Sequence, residues 1–320
     1  MSYPTHLTSL YRLPAHTFPG PEGKTDDLPA ADSRAWRIAS DVYDGEEEWT
    51  AAFARFCDTV DTTRVKALIV GAWEGAYDTD PSEVIEALLA AKDRFPALRA
   101  LFLGDMESEE CEISWINQTD VTPLLEGFPE LEELGVRGGS GLRLSAVRHE
   151  ALRRLVLESG GLPADVVRGV GGSDLPALEH LDLWLGTPEY GGDSEAADLE
   201  PLLSGGRLPK LRHLALRNSE MQDAVAAAVA SAPVVARLEV LDLSMGVLTD
   251  EGAAALLGGQ PLTHLKKLDL HHHYLSEPLL DRLRSTLEPA GVEVDLDRDG
   301  VDEDVDEDDG TVWRWVAVGE

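Results

Sequence analysis

Leu238-Glu-Val-Leu-Asp-Leu-Ser-Met-Gly-Val-Leu-Thr-Asp-Glu-Gly-Ala-Ala-Ala-Leu256 opens on the hexad L-x-x-L-x-L and continues into a segment that reads as a helix. In an extended hexad, side chains alternate between two faces, so Leu241 and Leu243 point the same way and the residues between them point the other. The hexad recurs with first positions at Val65, Leu98, Leu131, Leu152, Leu178, Leu211, Leu238 and Leu265. Its fourth and sixth positions are Leu68/Val70, Leu101/Leu103, Leu134/Val136, Leu155/Leu157, Leu181/Leu183, Leu214/Leu216, Leu241/Leu243 and Leu268/Leu270. Successive units stand about 21 to about 33 residues apart, a spacing that stacks one strand-and-return unit on the next. A repeat array has no single spherical core, so 320 residues form one continuous domain rather than two.

Several return segments read as helices. Asp80-Pro81-Ser82-Glu83 supplies a capping side chain, a proline suited to the first turn and a reaching carboxylate ahead of Val84, Ile85, Leu88 and Leu89. Residues 224–230, 252–257 and 279–287 behave similarly. The stretch from Leu238 to Leu256 resembles the ribonuclease-inhibitor type of leucine-rich repeat, whose unit is a strand plus a helix. That resemblance spans roughly residues 64–297. It implies an α/β fold: a right-handed solenoid, or horseshoe, with a parallel concave sheet, convex helices and a cap at each end. The type carries Asn or Cys at the ninth position, where this chain has Trp73, Met106, Gly139, Gly160, Gly186, Ser219, Gly246 and His273. The opening Leu13-Pro14 and Phe18-Pro19-Gly20, followed by Ala35-Trp36-Arg37, resembles a group of bacterial cytoplasmic leucine-rich-repeat proteins. The resemblance implies a fold and carries no activity with it.

Residues 1–63 read as an N-terminal capping region. Trp36 and Ile38 alternate as in a short strand, and Trp49, Phe53, Phe56 and Val60 form the stripe of an amphipathic helix. The solenoid occupies 64–297, about eight repeats closed by a strand through Val292, Val294 and Leu296. An acidic linker follows at 298–310, within a run where 11 of the 18 residues from Glu293 to Gly310 are acidic. Trp313-Arg-Trp315-Val-Ala-Val318, within 311–320, is expected to return as a strand that caps the far end.

The formal charge is −33, from 27 basic and 60 acidic residues, which repels nucleic acid and anionic membrane surfaces. Neither is expected as a partner, and a partner with a basic surface would associate fastest. No stretch approaches 18 consecutive apolar residues, and the first 30 residues lack a signal-type apolar core. Cys57 and Cys111 lie outside any C-x-x-C and read as inert thiols in a reducing, cytoplasmic setting.

Function must lie in the outward positions of the hexads. Position 3 runs Ala67, Ala100, Glu133, Arg154, His180, His213, Val240, Lys267. Position 5 runs Ile69, Phe102, Gly135, Val156, Asp182, Ala215, Asp242, Asp269, and position 7 runs Gly71, Gly104, Arg137, Glu158, Trp184, Arg217, Ser244, His271. The face is small and apolar in the first two repeats, then charged and aromatic. Eight strands spread it over roughly 35–40 Å, the span of a protein partner. The expectation is therefore a non-enzymatic module that binds a protein or peptide on the concave face. The residues expected to bind it are Arg137, Arg154, His180, Asp182, Trp184, His213, Arg217, Asp242, Lys267, Asp269 and His271. Two alternatives stand beside it: a hydrolase or metal-dependent enzyme using His180, Asp182, His213, Asp269 and His271, and a structural subunit that makes its contacts through convex helices.

The remaining motifs point to no cofactor. Consecutive strand residues face opposite ways, so His271-His272-His273 reads as turn packing rather than a metal site. Asp295, Asp297, Asp299 and Gly300 match the first half of a calcium loop, but Asp302 and Asp306 stand at its eighth and twelfth places and a strand precedes it. A solvated acidic linker is the expected reading. Gly169-Val-Gly171-Gly172-Ser-Asp174 lacks the third glycine of a dinucleotide fingerprint.

Overall fold

The structure, a computed structural model, describes residues 4–43, 45, 47–306 and 310–320. Twelve strands form one sheet in chain order: β1 (Ser9–Leu10), β2 (Leu13–Thr17), β3 (Ala35–Ile38), β4 (Ala67–Val70), β5 (Ala100–Leu103), β6 (Glu133–Arg137), β7 (Arg154–Glu158), β8 (His180–Gly186), β9 (His213–Ser219), β10 (Val240–Asp242), β11 (Lys267–Asp269) and β12 (Glu293–Asp295). From β2 onward every pair is parallel, and equivalent hexad positions stand opposite each other, as in Leu181↔Leu214 and Leu241↔Leu268. This is the α/β leucine-rich-repeat solenoid that the hexads specify. The leucines at positions 4 and 6 are buried throughout, each worth roughly 1.5–3 kcal/mol of apolar transfer.

The register extends the array beyond the eight hexads. Ala35 pairs with Ala67 and Trp36 with Leu68, so Trp36 and Ile38 occupy fourth and sixth positions, both buried. At the other end Val294 pairs with Leu268.

The return segments carry α1 (Trp49–Thr59), α2 (Ser82–Ala90), α3 (Thr122–Gly127), α4 (Ala164–Gly172), α5 (Glu200–Ser204), α6 (Gln222–Ala230), α7 (Asp250–Gly258) and α8 (Glu277–Leu287). Acids link successive units at the helix starts. Asp223 accepts from the backbone N–H of Thr249 at 2.8 Å and its hydroxyl at 2.5 Å, and Asp250 does the same for Ser276 at 2.8 and 2.6 Å. Each pair satisfies orphan donors at the entrance to a helix. Among the described residues, no helix is long and apolar enough to cross a membrane.

The work of the missing asparagine ladder is shared among other side chains. His273 Nδ1 accepts from the N–H of Leu275 at 3.1 Å, while its Nε2 lies 3.2 Å from the Leu296 carbonyl. Gln118 donates to the Arg137 carbonyl at 2.8 Å and Gln222 to the Leu216 carbonyl at 2.9 Å, both buried. Trp73 donates to the Thr79 carbonyl at 3.1 Å.

Both outlying segments of the chain cross the concave side. Tyr11 and Arg12, at φ 53° and 58°, make the tight reversal between β1 and antiparallel β2. The reversal lays Leu7, Leu10, Tyr11, Leu13 and Ala15 over Ala35, Ala67, Ile69 and Ala100, all four fully buried. The apolar outward positions of the first repeats are thus a second, small core. At the other end β13 (Glu303–Val305) and β14 (Val312–Arg314) form an antiparallel hairpin. Residues 315–320 then run back over the concave edge of the sheet. Within 311–320, expected as a capping strand, the strand is Val312–Arg314, and Trp313 and Trp315 stay 57% and 49% exposed. Residues 307–309 of the acidic linker lie outside the described residues.

Candidate functional site on the concave face

The sheet carries the expected residues in rows across β6 to β11. In the position-3 row, Arg154, His180, His213 and Lys267 are half-buried. Asp182, Asp242 and Asp269 from position 5 are buried beneath them, as are Arg137 and Trp184 from position 7. Arg217 and His271 are half-buried.

Three charge networks organise these side chains. Arg217 grips Asp182 in a two-pronged contact, at 3.0 Å from Nε and 2.7 Å from Nη2. It also lies 3.7 Å from Asp242, and its guanidinium sits 5.0 Å from the Trp184 ring centroid. Burial pushes the Asp242 carboxyl above its ordinary range. Arg137 donates to Glu158 at 2.8 Å, to the Met106 carbonyl at 2.5 Å and to the Thr5 carbonyl at 3.1 Å. The third network joins Lys267 to Asp269 at 2.9 Å and Asp295 at 3.4 Å, with His271 Nδ1 2.7 Å from Asp269. The Asp269 hydrogen bond raises the His271 pKa. Against its burial, bonds from His271 and Lys267 hold the Asp269 carboxyl low.

Ligand atoms of Asp269, His271 and Asp295 lie within 4.8 Å of one another, a spacing that suits a metal ion. The Lys267 ammonium already supplies positive charge there. Asp295 and Asp297 each cap the backbone N–H two residues on, at 3.2 and 3.1 Å, and Asp297 and Asp299 stand exposed on successive turns. Of the three histidines in sequence, His272 and His273 are buried and pack the turn.

His180 and His213, from adjacent strands, place their ring centroids 3.8 Å apart. Burial, with Arg154 next in effect, pushes His180 down to about 2, and burial takes His213 to about 4, so both rings are neutral near pH 7. The Arg154 backbone N–H donates to the Glu132 carbonyl at 3.0 Å, while its guanidinium makes no hydrogen bond or ion pair among the described residues.

Two recesses remain between these rows and the covering segments. One, of about 430 Å³, lies between the β1–β2 turn and Glu133, Arg154 and Val156. The other, of about 510 Å³, is bordered by Thr5, Arg137, Trp184, Met245 and His271.

Four of the residues that hold the covering segments stand at the eighth hexad position, outside the set of positions 3, 5, 7 and 9. Asp105, wholly buried, accepts from Arg37 at 2.7 Å and from the N–H of Leu7 at 2.9 Å, pinning the N-terminal segment. Asn218, Met245 and His272 hold residues 315–320. A sequence signal for this row exists in its composition. Position 8 carries Asp105, Asn218 and His272, polar residues that are themselves buried. Asn218, Met245 and His272 also take left-handed backbone at φ 53°, 66° and 56°, which turns their side chains out of the strand alternation.

A parallel sheet of stacked hexads with its concave face partly covered defines the class: a leucine-rich-repeat protein, a fold that serves in general as a protein-interaction module. No protein-family model matches the sequence, and no curated protein is similar to it. Among solved structures, a Bacteroides fragilis protein from a structural-genomics programme is similar at 32% identity and a TM-score of 0.71, covering 79% of this chain and 70% of that one. The chain belongs to the family of that protein. An internalin of Listeria monocytogenes aligns at 10% identity and a TM-score of 0.31, covering 82% of this chain and 74% of that one.

Proposed function

We propose that the protein is a non-enzymatic interaction module that receives a protein or peptide partner on the open part of its concave face, from β7 to β11. The observation that carries this reading is the contrast within one row. Ala67 and Ala100 are sealed under the N-terminal segment, whereas Arg154, His180, His213 and Lys267 remain half-exposed. Arg154 supplies uncommitted donors on a rigid strand, and arginine is among the residues that most often anchor interfaces. Trp184 and Arg137 sit beneath this surface and fix its shape. The overall charge of −33 favours a partner with a basic surface, through the rate of encounter. Cys57 and Cys111 are buried, with thiols pushed up to about 11 by burial, which fits a reducing, cytoplasmic setting.

The test is affinity capture from native lysate, identification of the bound protein, and titration of that protein against the parent and the Arg154→Ala/His213→Ala variant. At least a tenfold loss of affinity with an unchanged melting curve is expected. Equal affinity in the two proteins removes the open concave face as the binding surface.

A further inference from the structure

Residues 315–320 are held as an extended peptide is held in a receptor, almost wholly through backbone groups. The Asn218 amide grips Val318 from both sides: its Oδ1 accepts from the Val318 N–H at 3.0 Å and its Nδ2 donates to the Val318 carbonyl at 2.6 Å. The Ala317 N–H donates to the Met245 carbonyl at 2.8 Å. His272 Nε2 lies 3.0 Å from the Trp315 carbonyl, and the Tyr274 hydroxyl accepts from the Trp315 N–H at 3.1 Å. Ser114 donates to the Gly319 carbonyl. One side chain enters a pocket: Val318, 2% exposed, packs with Ile113, Trp184 and Met245.

The receiving groups belong to the rigid part of the molecule. Asn218 is fully buried and its Nδ2 lies 3.3 Å from the Ser159 carbonyl, so its amide is oriented by the solenoid as well as by the segment it grips. Gly160 lies directly under Gly319, where a Cβ would collide with the Gly319 carbonyl oxygen. The bound segment, by contrast, reaches the solenoid through exposed acidic residues and the β13–β14 hairpin, and it buries one valine deeply. Pre-organised amide donors and acceptors with a single small pocket make a site that reads extended backbone and tolerates many sequences.

We propose that this groove is a peptide-binding site for extended segments with a small aliphatic residue at the Val318 place. Residues 315–320 fill it as a ligand in cis, which a partner segment of the same chemistry displaces. The site stands apart from the Arg154 and His213 surface, and loss of either leaves the other's reading intact.

The experiment uses the full chain with a specific protease site placed between Asp306 and Gly310, cleaved after purification. The probe is a fluorescent peptide with the sequence of residues 311–320. The cleaved fragment is expected to exchange with the probe within minutes, with saturable binding that weakens at least tenfold in Gly160→Ala and in Asn218→Ala. A scrambled peptide is expected not to bind. In the uncleaved chain, the Ala317 and Val318 amides are expected to exchange hydrogen at least a hundredfold faster than the β9 amide of Leu214. A fragment that never exchanges, a probe that fails to bind at millimolar concentration, or tail amides as protected as Leu214 would each overturn the proposal. Unfolding of the chain on cleavage would do the same. Gly160→Ala keeps the test open if Asn218→Ala fails to fold, because its added methyl points at the segment and at Ser114.

Discussion

Replacing Asp105 by alanine removes the anion on which the N-terminal segment is hung. Its carboxylate is wholly buried and meets Arg37 at 2.7 Å from Nε and 2.6 Å from Nη2, the Leu7 N–H at 2.9 Å, and Arg137 at 3.7 Å. The Arg37 and Arg137 side chains are 11% and 3% exposed, so neither can recover its loss by turning to water. Arg137 keeps Glu158, but Arg37 keeps only Thr17 at 3.3 Å and the Leu7 carbonyl at 2.7 Å. Exposed pairs typically contribute about 0–1 kcal/mol, whereas stripping one partner from a buried pair costs about 3–5 kcal/mol. The orphaned Leu7 donor overlaps with that cost rather than adding to it, so about 4 kcal/mol is expected. Urea denaturation measures it, as a lower midpoint with an unchanged slope. Hydrogen exchange locates it, with protection lost over residues 7–17 and kept in β8 and β9. Asp105→Asn, which retains one acceptor oxygen, should lose about half as much. A loss below about 1 kcal/mol, or an N-terminal segment still protected in Asp105→Ala, would refute the claim that this carboxylate fastens the segment to the sheet.

Two further outcomes follow from the concave face. His213, held at about 4 by burial against an ordinary 6.5, is neutral when folded, so an unfolded chain takes up the proton first as pH falls. Its contribution is full above pH 6.5 and is lost on acidification, by about 2 kcal/mol at pH 5. His213→Gln should flatten that part of the stability profile, and a variant curve parallel to the parent from pH 7 to 5 would count against it. Lys267→Ala withdraws the ammonium from Asp269 and Asp295, leaving two carboxylates and His271 within 4.8 Å. The variant, and not the parent, should gain thermal stability from added zinc. Equal binding by the parent would favour the metal-dependent reading of these residues.

The inward half of each hexad was legible because burial imposes one demand, an apolar residue of leucine's size, at every fourth and sixth position. The same demand made Trp36 readable as a strand residue but left open that it sits in the solenoid's own register, since one hexad-like unit without leucine carries too little pattern. The outward half follows no such rule. Ala67, Ile69 and Ala100 looked bland, and only the chain reversal at Tyr11 and Arg12 shows that they face a second apolar layer. Trp184 looked like an exposed anchor because strand alternation pointed it outward, yet Val318 and Ile113 pack on it. Contacts of that kind join residues about 70 and about 130 positions apart, which no local spacing reveals. The eighth position escaped for another reason: left-handed backbone at Asn218, Met245 and His272 breaks the two-residue period on which the faces were assigned.

The two segments laid across the sheet change what sort of polymer this is. A stack of repeats in contact only with their neighbours can gain or lose a unit, and its stability grows almost link by link. Here Leu7 is tied to Asp105, Thr5 to Arg137, and residues 315–320 span from Ser114 to His272. Each tie has a length set by the number of strands beneath it. Duplicating or deleting one repeat between Ser114 and His272 would leave the strap too short or too slack, so the number of units beneath it is matched to the length of the segment whenever that segment is seated.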